Sequence, residues 1–185
     1  MRIQRLHRIL FVGFLALLLS ACALSPKRAD SRMASDALLV LITTHGNVDV
    51  LSSNVANEYY MPVRSSQLRP WPDALGDTPT ALILSACFSG SFVPPLAAAN
   101  RMVLAAAAAD RHSFGCNYES DNTHFIGELF GNGFDPVTTW QQNFDRTCQD
   151  IQNKEEAMRL APPSNPQSSI PEAWAVPTVA DFLKS

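Results

Sequence analysis

The strongest constraint on this chain is the stretch at residues 80–92, TALILSACFSGSF. Residues 81–84 form an unbroken apolar run, which is typical of a strand that is buried on both faces of a parallel sheet. Small residues follow abruptly, and Cys87 stands where this strand ends. A second run of the same kind, at residues 37–42, leads into His45 and Gly46. The sequence therefore predicts two buried strands that each deliver one reactive side chain.

The positions of His45 and Cys87 predict a shared cleft. In open parallel sheets, ligands bind beyond the carboxyl ends of the strands, so adjacent strands ending here would bring an imidazole and a thiol together. Peptide cleavage by cysteine needs a thiolate, a proton donor for the leaving amine, and N–H donors for the developing oxyanion. Alone, His45 would be interpreted as a structural histidine and Cys87 as a small buried hydrophobe. Their matching positions favour a catalytic pair.

Three blocks of sequence carry a resemblance to a known family. They are His45-Gly46, Ser-Ala-Cys-Phe-Ser-Gly at residues 85–90, and residues 106–130. The chain resembles the legumain-like cysteine peptidases, family C13, and most closely their bacterial members, over about residues 36–170. The resemblance implies a caspase-like α/β fold, a three-layer α/β/α sandwich around a mostly parallel sheet. It also implies cleavage of peptide or protein substrates, or a related acyl transfer, without a cofactor.

The resemblance also assigns roles around the two predicted catalytic residues, His45 and Cys87. The backbone amides of Gly46 and Cys87 would form the oxyanion hole. Ser85 stands where the eukaryotic asparaginyl endopeptidases have an acidic residue, and Glu128 matches their second pocket acid by position. We therefore predict a substrate pocket that includes Ser85 and Glu128, without a preference for cleavage after asparagine or aspartate. An ordinary surface carboxylate remains the alternative for Glu128.

The family normally has another strand and helix before the strand that carries the histidine. Such a unit needs about 20–30 residues, and residues 23–36 offer about half of that. We therefore expect the first strand and helix to be lacking, which would expose a sheet edge and favour a homodimer. The same expectation keeps a second interpretation open. The chain would then be a catalytically inactive, truncated envelope lipoprotein that acts as a binding module.

The N-terminus has the features of a bacterial lipoprotein signal. Three arginines precede an apolar run at residues 9–19, which is too short to cross a bilayer comfortably but suits a secretory signal. Leu-Ser-Ala-Cys at residues 19–22 resembles the lipobox, in which cleavage leaves Cys22 as a lipidated N-terminus. An ordinary secretory signal with an incidental cysteine is the alternative. Ala23 replaces the aspartate of an inner-membrane retention signal, which favours lipid anchoring to the periplasmic side of the outer membrane.

Charge and motifs exclude several other functions. Loss of the leader would leave 11 of the 14 basic residues against 17 acidic ones, a net charge near −6, with no basic stripe for nucleic acid. The chain lacks a tight Cys/His pair for a metal. Cys87 has no Cys-x-x-Cys partner, which disfavours a thiol oxidoreductase. The predicted organisation is a signal peptide at 1–21, a lipidated N-terminus and tether at 22–36, a peptidase domain at 37–170 and a C-terminal tail at 171–185.

The remaining segments predict the elements that surround the cleft. We expect a hairpin and a helical turn at 65–75, a short helix at 96–99, a loop at 110–121 that forms a wall of the site, and helices at 123–130 and 137–159. Asp121 or Asn122 is expected near the cap of the helix at 123–130. The charged run at 154–159 is interpreted as a solvated face.

Two cysteines and two histidines have no assigned role. In an oxidising periplasm Cys116 and Cys148 could pair as a disulfide, and two free, partly buried thiols are the equally weighted alternative. His112 and His124 are weaker catalytic candidates, better explained as loop or helix-surface residues.

Overall fold

The computed structural model describes residues 37–55, 59–116, 122–131, 133–174 and 178–182. Within these ranges the strands are β1 (Leu38–Thr43), β2 (Gly46–Asn47), β3 (Val50–Val55), β4 (Tyr59–Val63), β5 (Thr80–Ser85), β6 (Arg101–Ala105) and β7 (Gln167–Ser169). They form a four-stranded sheet in the order β1-β5-β6-β7 and a three-stranded sheet in the order β2-β3-β4. The first sheet is parallel except for β7, which pairs antiparallel to β6.

The described helices are α1 (Ser65–Leu68), α2 (Pro70–Asp73), α3 (Val93–Leu96), α4 (His124–Phe130), α5 (Trp140–Ala157) and α6 (Val179–Phe182). The helix expected at 96–99 is wrong, because α3 begins earlier and carries its two prolines in the first turn, where the missing N–H costs no hydrogen bond. Asn122 lies next to the cap of α4, as expected, and Asp121 falls outside the described residues. Thr123 caps α4 by accepting a hydrogen bond from the N–H of Ile126.

The four-stranded sheet is covered on both faces, which confirms the predicted three-layer α/β/α class. Successive residues of a strand point to opposite faces, so Ala81 and Ile83 of β5 lie in one core and Leu82 and Leu84 in the other. The first core is closed by α4 and α5, through Phe125, Leu129, Trp140, Phe144 and Ile151. The second is closed by β3, α1 and α3 and the turn before α3, through Leu51, Leu68, Phe92, Val93 and Leu96. Every residue of β5 is buried, as predicted.

Strand β1 is less buried than the sequence predicts. Among the described strands it pairs with β5 alone, at one edge of the sheet. Leu39 and Leu41 are 36% and 42% exposed. The prediction of a second fully buried strand is therefore wrong, because β1 has one neighbour among the described strands whereas β5 has two. The expected signal peptide, Cys22, the tether and the absent first unit all fall on residues 1–36, outside the described part of the chain.

The segment predicted as a C-terminal tail contributes to the first core. Trp174, Val179 and Phe182 are buried there, and the rings of Trp140 and Phe182 meet edge to face with their centroids 5.9 Å apart. Aromatic pairs of this geometry stabilise a core beyond the area that they bury. This part of the chain therefore helps to hold α5 in place.

Candidate active site

The register between β1 and β5 places His45 beside Cys87. The last ladder pair is Thr43 with Ser85, and the N–H of Thr44 donates to the carbonyl of Ser85 at 3.1 Å. Continued by two residues, this register sets His45 level with Cys87, and neighbouring strands lie only about 4.8 Å apart. The side chain of His45 is exposed and that of Cys87 is half-buried. Both groups therefore stand at the same end of the sheet and within reach of solvent.

Gly46 fixes how closely the two chain segments approach. A Cβ atom at this position would lie 2.4 Å from the carbonyl oxygen of Cys87 and 3.1 Å from the Cβ of Ala86. Only glycine fits against another backbone at this distance. The contact holds the segment after β1 directly against the residue that carries the thiol.

The chain turns sharply immediately after Cys87. Phe88 has φ 58° and ψ 15°, a left-handed conformation that is uncommon for a residue other than glycine. The N–H of Phe88 donates to the carbonyl of Arg111 at 2.7 Å, and its ring meets the ring of His112 edge to face at 4.7 Å. These contacts offset the unfavourable backbone geometry and hold Cys87 at the point where β5 ends.

The sulfur of Cys87 lies against Ser113. The N–H of Ser113 donates to Sγ at 3.4 Å, and Sγ lies 3.6 Å from the carbonyl oxygen and 3.8 Å from the hydroxyl of the same residue. The loop predicted as a wall of the site is therefore in contact with the predicted nucleophile over its described part, residues 110–116. Sequence reasoning did not single out Ser113, because a serine in a polar loop carries no spacing that links it to a distant cysteine.

The buried carboxylate of Glu155 on α5 stabilises the segment that leads into this loop. Glu155 is 1% exposed and accepts hydrogen bonds from the N–H and the hydroxyl of Ser164, at 2.8 and 2.5 Å. The carbonyl of Ser164 in turn accepts from the N–H of Ala108 at 2.8 Å. The interpretation of residues 154–159 as a solvated face is therefore wrong for Glu155, which links α5 to the loop that contacts Cys87.

The amide groups of Gly46 and Cys87 are both available at the cleft. The N–H of Ser52 donates to the carbonyl of His45, so Gly46 and Leu51 form a non-hydrogen-bonded pair of the β2–β3 ladder. In such a pair the N–H points away from the partner strand, so the N–H of Gly46 faces away from β3. The N–H of Cys87 has no acceptor among the described residues. N–H donors without a backbone partner are the kind of group that a developing oxyanion requires.

One family model matches most of the chain. Residues 13–172 match the model of the peptidase C13 family, over more than half of the chain. The chain belongs to the peptidase C13 family. The match includes every strand from β1 to β7 and all the predicted residues of the cleft, and it begins before the described structure. No curated protein matches the chain.

The predicted pocket residues of this C13 chain have different partners. Ser85 is buried, and its hydroxyl lies 2.7 Å from that of Thr123, the cap of α4. The carboxylate of Glu128 lies 2.6 Å from the ammonium of Lys154 on α5. The structure therefore brings Ser85 to Thr123 and engages Glu128 with α5 instead of with Ser85. Thr123 is a pocket candidate that sequence reasoning missed, since its hydroxyl also reads as an ordinary helix cap.

The three described cysteines of the C13 chain, Cys87, Cys116 and Cys148, carry free thiols. Burial, together with the charge of Asp145, raises the pKa of Cys148 to about 11. Partial shielding from water raises the pKa of Cys116, and the nearby negative charge of Cys87 adds to this, whereas a hydrogen bond from Ser113 opposes it.

The two other histidine candidates differ in their surroundings. His112 is exposed and contacts Phe88. His124 lies in the first turn of α4, where burial, and then the charge of Lys154, lower its pKa below 6.5. Its Nδ1 is buried without a hydrogen-bond partner among the described residues. These features suit a packed, neutral side chain better than a proton carrier.

Membrane spans and metal clusters can be assessed only where the structure describes the chain. In that part, no helix has the length and apolar character needed to cross a bilayer. Nor does that part bring three His, Cys, Asp or Glu side chains together as a metal site.

Proposed function

We propose that this C13 chain is a cysteine endopeptidase in which Cys87 and His45 form the catalytic dyad. The observation that carries the proposal is the parallel β1–β5 register, which ends at Thr43 with Ser85, two residues before His45 and Cys87 in both chain segments. The close approach of Gly46 to the carbonyl of Cys87 supports it, because it holds the segment after β1 against the residue that carries the thiol. Family membership supports the same reaction class.

The proposed reaction uses one thiol, one imidazole and two backbone amides. The thiolate of Cys87 attacks the peptide carbonyl carbon, and the N–H groups of Gly46 and Cys87 receive the developing oxyanion. His45 then protonates the leaving amine as the C–N bond breaks, which leaves an acyl thioester on Cys87. A water molecule, deprotonated by His45, attacks the thioester and releases the acid product. The N–H of Ser113 donates to Sγ and positions the sulfur at the end of β5.

The proposed substrate pocket begins at Ser85. A hydroxyl pair, Ser85 with Thr123, offers no fixed charge to a substrate side chain. Glu128 is already paired with Lys154. These residues therefore offer no unpaired charge that could bind an asparagine or aspartate side chain. We propose peptide or protein substrates without a preference for those residues. A direct pocket role for Glu128 would require its carboxylate to leave Lys154.

We further propose that Cys22 carries lipid and anchors the domain to the periplasmic side of the bacterial outer membrane. The support is the arrangement of three arginines, an apolar run and a lipobox-like tetrapeptide at the N-terminus. Each buried acyl CH₂ group contributes about 0.8 kcal/mol to attachment, so several chains on one cysteine hold a soluble domain firmly. Incorporation of labelled fatty acid into the wild type and its absence from Cys22→Ala would support the anchor. Equal membrane recovery of both would contradict it.

One observation favours a second function, a catalytically inactive binding module. His45 follows β1, the half-exposed outermost of the described strands, so one member of the dyad lies on a poorly enclosed part of the sheet. An exposed strand edge also recruits a further strand from a partner. In this alternative the edge of β1, and not Cys87, is the functional surface.

A peptide-library experiment separates the two functions. The full chain and its Cys87→Ala, His45→Ala and Cys148→Ala variants are incubated with a mixed peptide library, and cleavage is read by mass spectrometry. The peptidase proposal expects cleavage by the wild type and Cys148→Ala, and a loss of at least about 100-fold in the other two variants. The binding module would be favoured if a folded wild type cuts no peptide and its Cys87 reacts with an electrophilic probe no faster than Cys116.

A further inference from the structure

A single hydroxyl joins the two segments that carry the proposed dyad. The hydroxyl of Ser91, four residues after Cys87, donates to the carbonyl of Phe88 at 2.7 Å. The same oxygen accepts a hydrogen bond from the N–H of Asp49 at 2.9 Å. Asp49 lies four residues after His45, in the turn between β2 and β3. Ser91 therefore links the turn after the thiol to the turn after the imidazole.

The two residues that the Ser91 hydroxyl contacts both have left-handed backbone conformations. Phe88 has φ 58° and Asp49 has φ 52°, values that are uncommon in residues other than glycine. Conformations of this kind persist only where neighbouring contacts hold them, and they cluster at functional sites. The Ser91 hydroxyl supplies one such contact to each residue. Its loss would remove a restraint from both turns at once.

The turn after Cys87 has further anchors that do not involve the Ser91 hydroxyl. The N–H of Gly90 donates to the carbonyl of Ala107 at 2.8 Å, and a Cβ atom at Gly90 would lie 2.7 Å from that oxygen. The N–H of Ala107 donates to the hydroxyl of the fully buried Ser89 at 3.3 Å. These contacts tie the turn to the segment after β6, so the thiol should keep its place without Ser91.

The segment that carries His45 belongs to the other sheet. The ladder partners of β2 lie in β3 of the three-stranded sheet. The carboxylate of Asp49 accepts a hydrogen bond from the N–H of Ser65, at the start of α1, at 3.0 Å. Through the N–H of Asp49, Ser91 connects this sheet to the strand end that carries Cys87. If that link is lost, the segment of His45 should shift more than the turn after Cys87.

We propose that Ser91 is a positioning residue that holds the imidazole of His45 beside the thiol of Cys87. This role rests on the proposed function, and it requires no contact between Ser91 and the substrate. A general acid must lie within hydrogen-bond reach of the leaving group, and small misplacements of a catalytic group lower the rate strongly. Because the thiol keeps its other anchors, loss of the Ser91 hydroxyl should impair proton transfer and spare the attack of the sulfur.

Two substrates with the same acyl group separate these two steps. A peptide that the full-length wild type cuts in the library is prepared as an amide and as a nitrophenyl ester. Cleavage of the amide needs a proton from His45, whereas nitrophenolate departs without one. In Ser91→Ala we expect kcat for the amide to fall at least about 10-fold, with KM within about 2-fold of the wild type. The burst of nitrophenolate, which reports acylation of Cys87, should stay within about 2-fold.

Matched variants show whether Ser91 acts through the imidazole. Ser91→Thr keeps the hydroxyl and should retain cleavage of the amide, and Ser66→Ala, a change of an exposed serine in α1, should behave as the wild type. In a His45→Ala background, Ser91→Ala should cause no further loss. The inference is overturned by an unchanged amide rate in Ser91→Ala, by a burst that falls as much as the amide rate, or by additive losses in the double variant.

Hydrogen exchange separates this inference from the peptidase proposal. Ser91→Ala should accelerate exchange of the Asp49 N–H by about 5-fold, as expected for the loss of one hydrogen bond, whereas Ser91→Thr should not. That result in a chain that gives neither cleavage nor a burst would uphold the Ser91 link and contradict the peptidase proposal. Cleavage by the wild type, with exchange and amide rate both unchanged in Ser91→Ala, would do the reverse.

Discussion

Gly46 is the residue at which the candidate site tolerates the least change. Gly46→Ala would place a methyl group 2.4 Å from the carbonyl oxygen of Cys87, which is backbone and cannot rotate away. We expect the free energy of unfolding to fall by about 1–3 kcal/mol, as in other overpacked sites. Peptide cleavage and probe labelling of Cys87 should fall by more than that loss of folded protein explains, because β1 must shift relative to β5.

The control for this prediction is Gly127→Ala. Gly127 lies inside α4, and a Cβ there would meet only the Cβ of Asn122 at 3.8 Å. Alanine in a helix interior is favoured over glycine by about 0.5–1 kcal/mol. Urea titration should therefore show a small gain in stability with full labelling of Cys87. Equal behaviour of the two variants would mean that the contact between Gly46 and Cys87 has no special role.

His124 makes the free energy of unfolding decrease as the pH falls below 6.5. Its pKa in the folded protein is lowered below 6.5, chiefly by burial, so as pH falls the unfolded chain binds the proton first. Its contribution to stability is complete above pH 6.5 and is lost as pH falls from there through the lowered pKa. Asp49 and Asp73 also have lowered pKa values, but their contributions fade only below about pH 3.8.

His124→Gln tests this dependence. Between pH 7.5 and pH 5.0 the urea midpoint of the wild type should fall, and that of the variant should fall less, since glutamine keeps a polar side chain without a titrating nitrogen. Circular dichroism at both pH values gives the midpoints. The same decrease in both proteins would show that another group controls the acid sensitivity.

At the scale of elements, the sequence predicted burial correctly for the central strand β5. The apolar run of β5 predicts a fully buried strand, and β5 is one, because neighbours cover both its faces. The equally apolar β1 is half-exposed, since apolarity does not reveal whether a strand has one neighbour or two. Glu155 was misassigned for a similar reason. Its partner, Ser164, lies beyond the end of α5, and helical periodicity carries no information about it.

The contact between Glu155 and Ser164 should stabilise two elements together. Glu155→Ala would leave the N–H and hydroxyl of Ser164 without an acceptor in a buried place, and we expect a loss of about 2–4 kcal/mol in the free energy of unfolding. Because Ser164 also holds Ala108, labelling of Cys87 should change as well. Glu156→Gln is the matched control, since Glu156 is exposed and should change stability by no more than about 0.5 kcal/mol. Similar losses in both variants would contradict this account.

For the whole molecule, we expect assembly through the edge of β1, which has no further strand beside it among the described residues. The strand Leu38–Thr43 contains no charged residue and no proline, the devices that normally keep a strand edge from pairing. We propose that two copies pair through β1 and predict a dimer in light scattering. Leu41→Lys should give a monomer. Leu75→Lys, a change of another exposed leucine outside the sheets, should leave the dimer intact. A compact wild-type monomer would overturn the proposal.

The candidate site was predictable at this scale only in its outline. Two strand ends and three family-like blocks place His45, Gly46 and Cys87 together, because parallel strands share one functional edge. The sequence gives no sign of Ser113 against the sulfur or of Thr123 against Ser85, since both contacts join segments that meet only after the helices have packed. Long-range packing, rather than local pattern, therefore determines the walls of the cleft.

The two members of the proposed dyad follow strands that differ in their stability against local unfolding. Cys87 follows the most enclosed strand of the sheet, whereas His45 follows the outermost of the described strands. Segments with few enclosing neighbours open locally at a small fraction of the global unfolding free energy, so amide hydrogens of β1 should exchange before those of β5. Each opening separates the imidazole from the thiol. A second copy that pairs with the edge of β1 would hold the imidazole and the thiol together, and activity per molecule would then rise with protein concentration by mass action.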